Sequence, residues 1–238
     1  MNKSLIVLWS ALLPLASASA LEMPPGELGL SLGGANLQLG KNHQLIGIQN
    51  TFGNIHQSIN NNKVVFTGGG SYLFNTFSST NMNILLGASA YYLNDTNANG
   101  LILLERTFPN LSYGYEIRNI PLYATAKAAW HDTSKKLSLV ADAGIGINFI
   151  KTKDYLEHSL DNGVTIPNQA FSNESEVKFS AMTGIGIRMN NLWKTASVEV
   201  GYKYFYLNEG KLNPRPQVIN QLKTGNINAH ALMITFIV

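Results

Sequence analysis

The sequence predicts an all-β fold: an eight-stranded antiparallel up-and-down transmembrane β-barrel with short periplasmic turns and long extracellular loops. Three observations support this fold class. The 238-residue chain opens with an export signal, the remainder contains eight segments that alternate apolar and polar residues, and the connections between those segments are alternately short and long. Alternation with period two is typical of strands, and the alternation of connection lengths is typical of membrane barrels.

The first 20 residues have the three parts of a secretory signal peptide. Lys3 supplies a positive charge, Leu5 to Leu15 form a short apolar run, and Ala18 to Ala20 form a small-x-small cleavage motif. An apolar run of this length is too short for a stop-transfer helix. We therefore predict cleavage after Ala20, which leaves a barrel domain over residues 21–238. A buried N-terminal helix is the alternative.

The composition excludes several classes of protein. The chain contains no cysteine, which excludes disulfides, lipid attachment through a cysteine and thiolate chemistry. No later run reaches about 18 apolar residues, which excludes a transmembrane helix. The formal net charge is only +3 and the sequence contains no block of Lys and Arg, so no nucleic-acid surface is predicted.

The stretch A-S-V-E-V-G-Y-K-Y-F-Y-L-N, from Ala196 to Asn208, shows the two-faced pattern most clearly, with Val200 on its apolar face and Glu199 on the other. In a soluble sandwich the apolar face is buried, whereas in a membrane barrel it contacts lipid and the charges point into the lumen. The eight predicted strands are approximately 27–38, 63–75, 81–93, 114–130, 136–152, 176–190, 194–208 and 226–238.

The connections between these strands decide between the two classes of fold. The short connections follow the second, fourth and sixth strands, at about 76–80, 131–135 and 191–193. The long connections follow the other strands, at about 39–62, 94–113, 153–175 and 209–225. Short turns at one end and long loops at the other are typical of a membrane barrel with its N-terminus in the periplasm.

The face opposite the apolar one mixes small residues with a few charged ones. An eight-stranded barrel has an interior just wide enough for side chains, and buried charges there require partners. We therefore predict an ion-pair cluster in a polar, plugged lumen. A solvated sheet face is the alternative interpretation. The predicted cluster comprises Lys127, Asp142, Arg188, Glu199 and Lys203.

Aromatic residues fall near the predicted strand ends, where a membrane barrel carries its two interfacial girdles. The periplasmic set is Trp130, Trp193 and Phe236, and the extracellular set is Tyr92, Phe149, Tyr204 and Tyr206.

Two features of the sequence do not fit the simple pattern. Pro121 lies inside the fourth predicted strand, where a closed barrel has no free edge for a missing N–H, so we expect a bulge there or a spanning segment that begins just after it. The pattern also leaves open whether residues 43–51 extend the first hairpin.

Several motifs carry a family resemblance. They are A-D-A-G-I-G-I-N-F, T-G-I-G-I-R, V-E-V-G-Y-K-Y, G-K-L-N-P-R-P-Q and the closing strand H-A-L-M-I-T-F-I-V. On these motifs the mature chain resembles the small eight-stranded outer-membrane barrels of the OmpX, OmpA and OmpW kind, in particular a gammaproteobacterial branch. The resemblance implies an outer-membrane protein whose last strand, Leu232 to Val238, is presented to the barrel-insertion machinery. It implies no catalytic residue.

Three motifs point weakly towards chemistry. His158-Ser159 is the only tempting pair for a lipid A-modifying enzyme, but adjacent residues point apart in most backbones. Residues 95–100 open like a calcium loop, yet the twelfth position is Arg106 rather than Glu, so a hairpin tip is favoured. Asp154, Glu157, His158 and Asp161 would share a helical face that could meet divalent ions, and a solvated loop is favoured there. No catalytic, cofactor or metal site is predicted.

The sequence therefore favours a non-enzymatic outer-membrane protein with a structural or surface-interaction role. Its expected partners are the lipid bilayer, lipopolysaccharide and the insertion machinery, and a monomer is expected. Two alternatives remain: a narrow passive channel for small solutes, and a lipid A-modifying barrel enzyme.

Overall fold

The computed structural model describes residues 26–40, 43–49, 53–59, 62–132, 136–193 and 196–238. The predicted signal peptide and its cleavage site lie outside these residues. Within this part of the chain, no helix is long and apolar enough to cross a membrane.

The described chain contains eleven β-strands. They are β1 (Gly26–Gln38), β2 (His43–Ile46), β3 (Asn54–Ile59), β4 (Asn62–Ser78), β5 (Met82–Leu104), β6 (Phe108–His131), β7 (Leu137–Ser159), β8 (Phe171–Ser172), β9 (Glu174–Trp193), β10 (Ala196–Pro214) and β11 (Leu222–Ile237).

Eight of these strands form a closed antiparallel ring. Its order is β1, β4, β5, β6, β7, β9, β10 and β11, and each strand pairs with the next. The ring closes between the first and last strands, which pair from Gly29 opposite Ile237 to Gln38 opposite Asn228. A closed ring leaves no free strand edge, as a membrane-spanning sheet requires. The predicted eight-stranded barrel is confirmed.

The alternation separates the two faces of the wall. Val200 points outwards and is 50% exposed, whereas its neighbour Glu199 points inwards and is 4% exposed. The same parity runs around the ring, because Leu30, Ile145 and Leu232 are exposed on the outside. The apolar face of each strand is therefore the lipid-facing face, as predicted from the loop lengths.

The long extracellular connections consist largely of strand. β5 and β6 continue to a tight turn at residues 105–107, so residues 94–113 are a long hairpin rather than an irregular loop. β7 likewise runs on to Ser159. The sequence pattern did not show these extensions because register shifts, between Leu93 and Thr96 in β5 and between Lys153 and Leu156 in β7, reverse the parity of the alternation.

A separate hairpin continues the barrel wall above the ring. β2 and β3 pair with each other, and β3 pairs with β5 above the end of β4. On its other side the Gln44 amide bonds the backbone N–H and C=O of Lys223 at 2.9 and 2.5 Å. Residues 43–46 therefore belong to this added hairpin and do not extend the one formed by β1 and β4.

Pro121 is accommodated without a bulge. It lies within β6 directly opposite Asn148 of β7, with no register shift nearby on that side. On the β5 side the pairs Ala90–Leu122 and Leu93–Asn119 keep one register, and the positions between them are unpaired. The missing N–H thus interrupts the ladder locally but does not displace the strand, so the expected bulge at Pro121 is absent.

On the extracellular side of the ring, β10 separates from β9 and crosses the barrel interior towards β7. Their ladder ends where Tyr206 lies opposite Ala181. Beyond the bulge at Asn208, Thr152 of β7 donates a hydrogen bond to the backbone carbonyl of Lys211 in β10. This crossing is possible because residue 210 is glycine, since a Cβ there would lie 2.8 Å from Ile150 Cγ2.

Candidate functional site: the filled lumen and the extracellular extension

The structure brings the five predicted lumenal charges into one ion-pair network. Lys127 of β6 reaches across the barrel to Glu199 of β10, with Nζ–Oε distances of 3.1 and 2.9 Å. Its Nζ also lies 3.9 Å from Asp142, which is paired with Lys203. All five side chains are between 3% and 7% exposed. Burial of this depth is stable only because each charge faces an opposite one.

A sixth member, Glu27 of β1, completes this network at its periplasmic side. The Arg188 guanidinium donates to both Glu27 carboxylate oxygens at 3.0 and 2.9 Å, and also to Glu199 at 3.3 Å. Glu27 was missed from sequence, although it shares the inward parity of Ser31. It was missed because it is the first residue of the predicted strand.

The network fits because Gly184 faces Asp142 from the neighbouring strand. A Cβ at position 184 would overlap Asp142 Oδ1 and lie 3.1 Å from Lys203 Cγ. The space needed by the Asp142–Lys203 pair is thus provided by the absence of a side chain at this residue.

A layer of hydroxyl pairs lies among the interior side chains of the ring. Ser89 and Thr125 are 2.6 Å apart, and Tyr123 Oη is 2.7 Å from Ser180 Oγ. These cross-strand bonds satisfy small polar groups that water would otherwise have to reach.

The extracellular half of the interior is mainly apolar, with the bonded amides of Asn119 and Asn148 as an exception, which corrects the expectation of a polar lumen throughout. Its side chains form one continuous cluster with the aromatic residues above. Members with 0% exposure include Leu37, Leu93, Ile117, Phe205, Leu207, Leu212 and Ile227. The lumen is therefore filled at two levels, by ion pairs near the periplasm and by a packed apolar core above them.

The extracellular extension encloses a buried histidine and carboxylate. His56 Nε2 lies 3.3 Å from Tyr155 Oη, which donates to Glu157 at 2.8 Å. Burial lowers the pKa of His56 to about 4, and burial beside Glu157 raises the pKa of Tyr155. Glu157 also accepts three backbone N–H bonds, from residues 168 to 170, at 2.8 to 3.1 Å. These bonds fix the connection after β7 across the barrel end.

A belt of charges lies on the outer surface just above the lipid-facing band. Arg118 donates two hydrogen bonds to Asp95, at 2.6 and 2.7 Å, and this contact holds the pKa of that carboxyl below its usual range. Lys153 joins Asp95 at 3.4 Å and also pairs with Glu116. The belt was not predicted, because Asp95 and Lys153 lie in what the pattern assigned to loops, whereas Arg118 and Glu116 lie in the fourth predicted strand without these partners.

Six of the seven predicted girdle residues lie on the outer face at the two ends of the apolar band. Trp130 and Phe236 are exposed at the periplasmic end, and Tyr92 and Phe149 are exposed at the extracellular end. Tyr204 and Tyr206 point outwards with partial exposure, and Trp193 ends β9 with its side chain outside the described residues.

The strands separate the residues of the three motifs that point weakly towards chemistry. Residues 95–100 lie within β5, so they form neither a calcium loop nor a hairpin tip. His158 points outwards, Glu157 inwards, and Ser159 Oγ donates to Asp161 at 2.6 Å. Among the described residues, no group of three or more His, Asp or Glu could hold a metal ion.

A serine–histidine contact that the sequence did not reveal lies at the periplasmic end. His131 Nδ1 is 2.7 Å from Ser138 Oγ, which also accepts a hydrogen bond from Asn190 at 2.7 Å. The hydroxyl belongs to a buried residue and its lone pair is engaged by the amide, so this contact holds the ends of β6, β7 and β9 together.

Comparison with known proteins supports the fold. No protein-family model and no curated protein matches the chain. The outer membrane protein OprG from Pseudomonas aeruginosa aligns with a TM-score of 0.51 at 12% identity, over 90% of this chain and 97% of that one.

The chain has the fold of an outer-membrane β-barrel. Two further barrels align with lower TM-scores. The outer membrane protease OmpT from Escherichia coli has a TM-score of 0.45 at 11% identity, over 92% of this chain and 97% of that one. Neisserial surface protein A has a TM-score of 0.42 at 11% identity, over 90% of this chain and 99% of that one. In this outer-membrane-type barrel, the ion-pair network and the apolar core described above occupy the lumen.

Proposed function

We propose that the chain is a non-enzymatic, non-conducting outer-membrane barrel that acts structurally or through its extracellular surface. The observation that carries this proposal is the doubly filled lumen. An ion must pass both the Lys127–Glu199 layer and the apolar layer at Phe205 and Leu207, and it would lose its hydration in the second. The extracellular extension above adds outer surface that is available for contact.

Planar-bilayer recording of the refolded barrel tests the closed lumen. We expect no resolved conductance steps for the native chain. Resolved steps at neutral pH would favour the alternative of a narrow passive channel. A control variant that opens both layers, Phe205→Gly and Leu207→Gly together with Lys127→Ser and Glu199→Ser, should conduct and shows that the assay detects an opened lumen.

A lipid A-modifying activity is the second alternative. His158 and Ser159 are neighbours on β7 with divergent side chains, which argues against a nucleophile–base pair there. Mass spectrometry of lipid A from cells that express the protein decides the question, because gain or loss of an acyl chain would contradict the non-enzymatic proposal.

The proposal includes the route by which the chain reaches the outer membrane. We infer cleavage after Ala20, delivery to the outer membrane and insertion through the C-terminal strand, with a monomer as the product. Leu232, Ile234, Phe236 and Val238 support this, since all four are exposed along the outer face of the last strand. N-terminal sequencing should begin at Leu21, and a chain that begins at Met1 would contradict cleavage.

A further inference from the structure

One buried histidine joins two segments that cover the extracellular end of the barrel. The first segment is the β2–β3 hairpin, which carries His56 and continues the wall above the end of β4. The second is the connection after β7, whose residues 168–170 lead into β8 and so to β10. The imidazole is 2% exposed and its ring centroid lies 5.6 Å from that of Phe171 in β8. The hairpin and residues 168–170, together called the cap, therefore meet at one ring.

A chain of hydrogen bonds also links this histidine to the second segment. Tyr155 Oη donates to Glu157 at 2.8 Å and lies 3.3 Å from His56 Nε2. Because the hydroxyl proton is used for Glu157, Tyr155 Oη can only accept from the imidazole, which places the proton of neutral His56 on Nε2. Glu157 in turn accepts the backbone N–H groups of residues 168 to 170. The hydrogen bonds that hold the second segment thus begin at the histidine of the first.

The other ring nitrogen, Nδ1, has no acceptor for a second proton. It is buried and has no hydrogen-bond partner in the described part of the chain. Protonation of His56 would therefore bury a cation with one N–H unpaired, which is unfavourable. The same burial lowers the pKa of His56 to about 4. Weak acid therefore favours any state in which the imidazole reaches water.

The groups around the imidazole include one that could offset its charge. This is the Glu157 carboxylate, which is separated from the ring by Tyr155 Oη and already accepts four hydrogen bonds. The titratable groups nearest the ring from the packed elements are Tyr113 and Tyr115 of β6 and Tyr155 and Glu157 of β7.

We propose that His56 is an acid-sensitive switch for the cap, so that its protonation releases the β2–β3 hairpin and residues 168–170 together. Release uncovers the inward face of β6 and β7, where the Tyr113 ring stacks on Tyr115 and on Tyr155 at centroid distances of 6.2 and 6.1 Å. These rings are between 5% and 7% exposed in the closed state. The inference goes beyond the surface role proposed above, because it makes an aromatic part of that surface accessible only in weak acid.

Hydrogen exchange of the full chain in lipid nanodiscs, followed by mass spectrometry at pH 7 and pH 4.5, tests this proposal. The amides of residues 168–170 report the second segment, and those of residues 54–59 report the hairpin. After correction for the intrinsic exchange rate at each pH, the opening of both segments should increase about 50-fold between pH 7 and pH 4.5.

His56→Phe keeps an aromatic ring at this position but cannot be protonated, so both increases should disappear. His158→Phe is the matched control, because His158 lies on β7 in the same extension but is exposed on its outer face. It should keep both increases, and the mobility shift between unheated and boiled samples verifies that each variant is folded.

Three results would overturn the proposal: no increase in the native chain, an increase in residues 54–59 alone, or an increase in residues 168–170 that persists in His56→Phe. None of them bears on conductance, because the ion pairs and the apolar layer at Phe205 lie below the cap. The closed-lumen proposal is therefore tested independently.

Discussion

Lys127 of β6 and Glu199 of β10 meet across the lumen, although three ladders separate their strands in the ring, and the ammonium group contacts both carboxylate oxygens at 3.1 and 2.9 Å. This contact ties opposite walls of the barrel together. Its strength depends on the remaining members of the network, because Arg188 shares Glu199 and Asp142 lies 3.9 Å from Lys127.

Breaking this pair from one side should be costly. Glu199→Gln leaves the buried Lys127 and Arg188 with reduced compensation, so we expect a loss of about 3–5 kcal/mol in the free energy of unfolding. The double variant with Lys127→Met should lose distinctly less than the sum of the two single changes. Urea unfolding in lipid vesicles measures the cycle. Strict additivity would show that the two residues do not interact energetically.

Gly184 is predicted to be required for the space it leaves. Gly184→Ala places a methyl group against Asp142 Oδ1, and the displacement of the Asp142–Lys203 pair should destabilise the barrel by about 1–3 kcal/mol. Gly34→Ala is the control, because its Cβ meets open space. Equal effects of the two substitutions on the urea midpoint would show that crowding of the Asp142–Lys203 pair is not responsible.

Changes in side-chain size should affect the stability of the barrel differently on the two faces of β10. Val200→Leu should be nearly neutral because lipid tails adjust, whereas Val200→Arg should cost about 2–4 kcal/mol near the bilayer centre. Phe205→Ala, on the inward face, should cost about 3–5 kcal/mol because it opens a cavity in the packed core. Val198 is unsuitable for this comparison, since it is largely covered. If Val200→Leu lost as much unfolding free energy in vesicles as Phe205→Ala, Val200 would not face lipid.

The extracellular extension should lose stability in weak acid through His56. The pKa of this imidazole is about 4 in the folded chain, below its ordinary value of 6.5, so the unfolded segment binds more protons between these values. Stability is thus unaffected above pH 6.5, falls as the pH drops towards 4, and is constant below it with respect to this group. The loss should reach about 3 kcal/mol.

Hydrogen exchange of β2 and β3 as a function of pH measures this effect. His56→Phe keeps the aromatic packing against Tyr113 and Phe171 but cannot be protonated, so it should flatten the pH dependence between 6.5 and 4. Asp161, whose pKa is lowered by hydrogen bonds from Ser159 and Thr165, loses its contribution only below its ordinary value of 3.8. An unchanged profile in His56→Phe would assign the effect to another group.

The barrel, its strand count and the outward face of each strand could be read from the sequence because they depend on local alternation. Val200 and Glu199 fall on opposite sides of any extended strand, and only connection lengths were needed to decide which side meets lipid. Alternation with period two also placed Lys127, Asp142 and Arg188 on one inner surface. Their partners could be named as a set because buried charges require neutralisation.

The tertiary structure alone decided which charge pairs with which, and what lies above the ring. Lys127 meets Glu199 rather than a nearer carboxylate because strand tilt and register set heights around the barrel. Asp95 and Lys153 of the belt, and core residues such as Ile102 and Tyr155, were hidden because bulges between Leu93 and Thr96 in β5 and between Lys153 and Leu156 in β7 invert the parity on which the sequence argument relies. A bulge adds a single residue to one strand, and beyond it the side chains that pointed inwards point outwards. Only the pairing of strands shows where such a bulge lies.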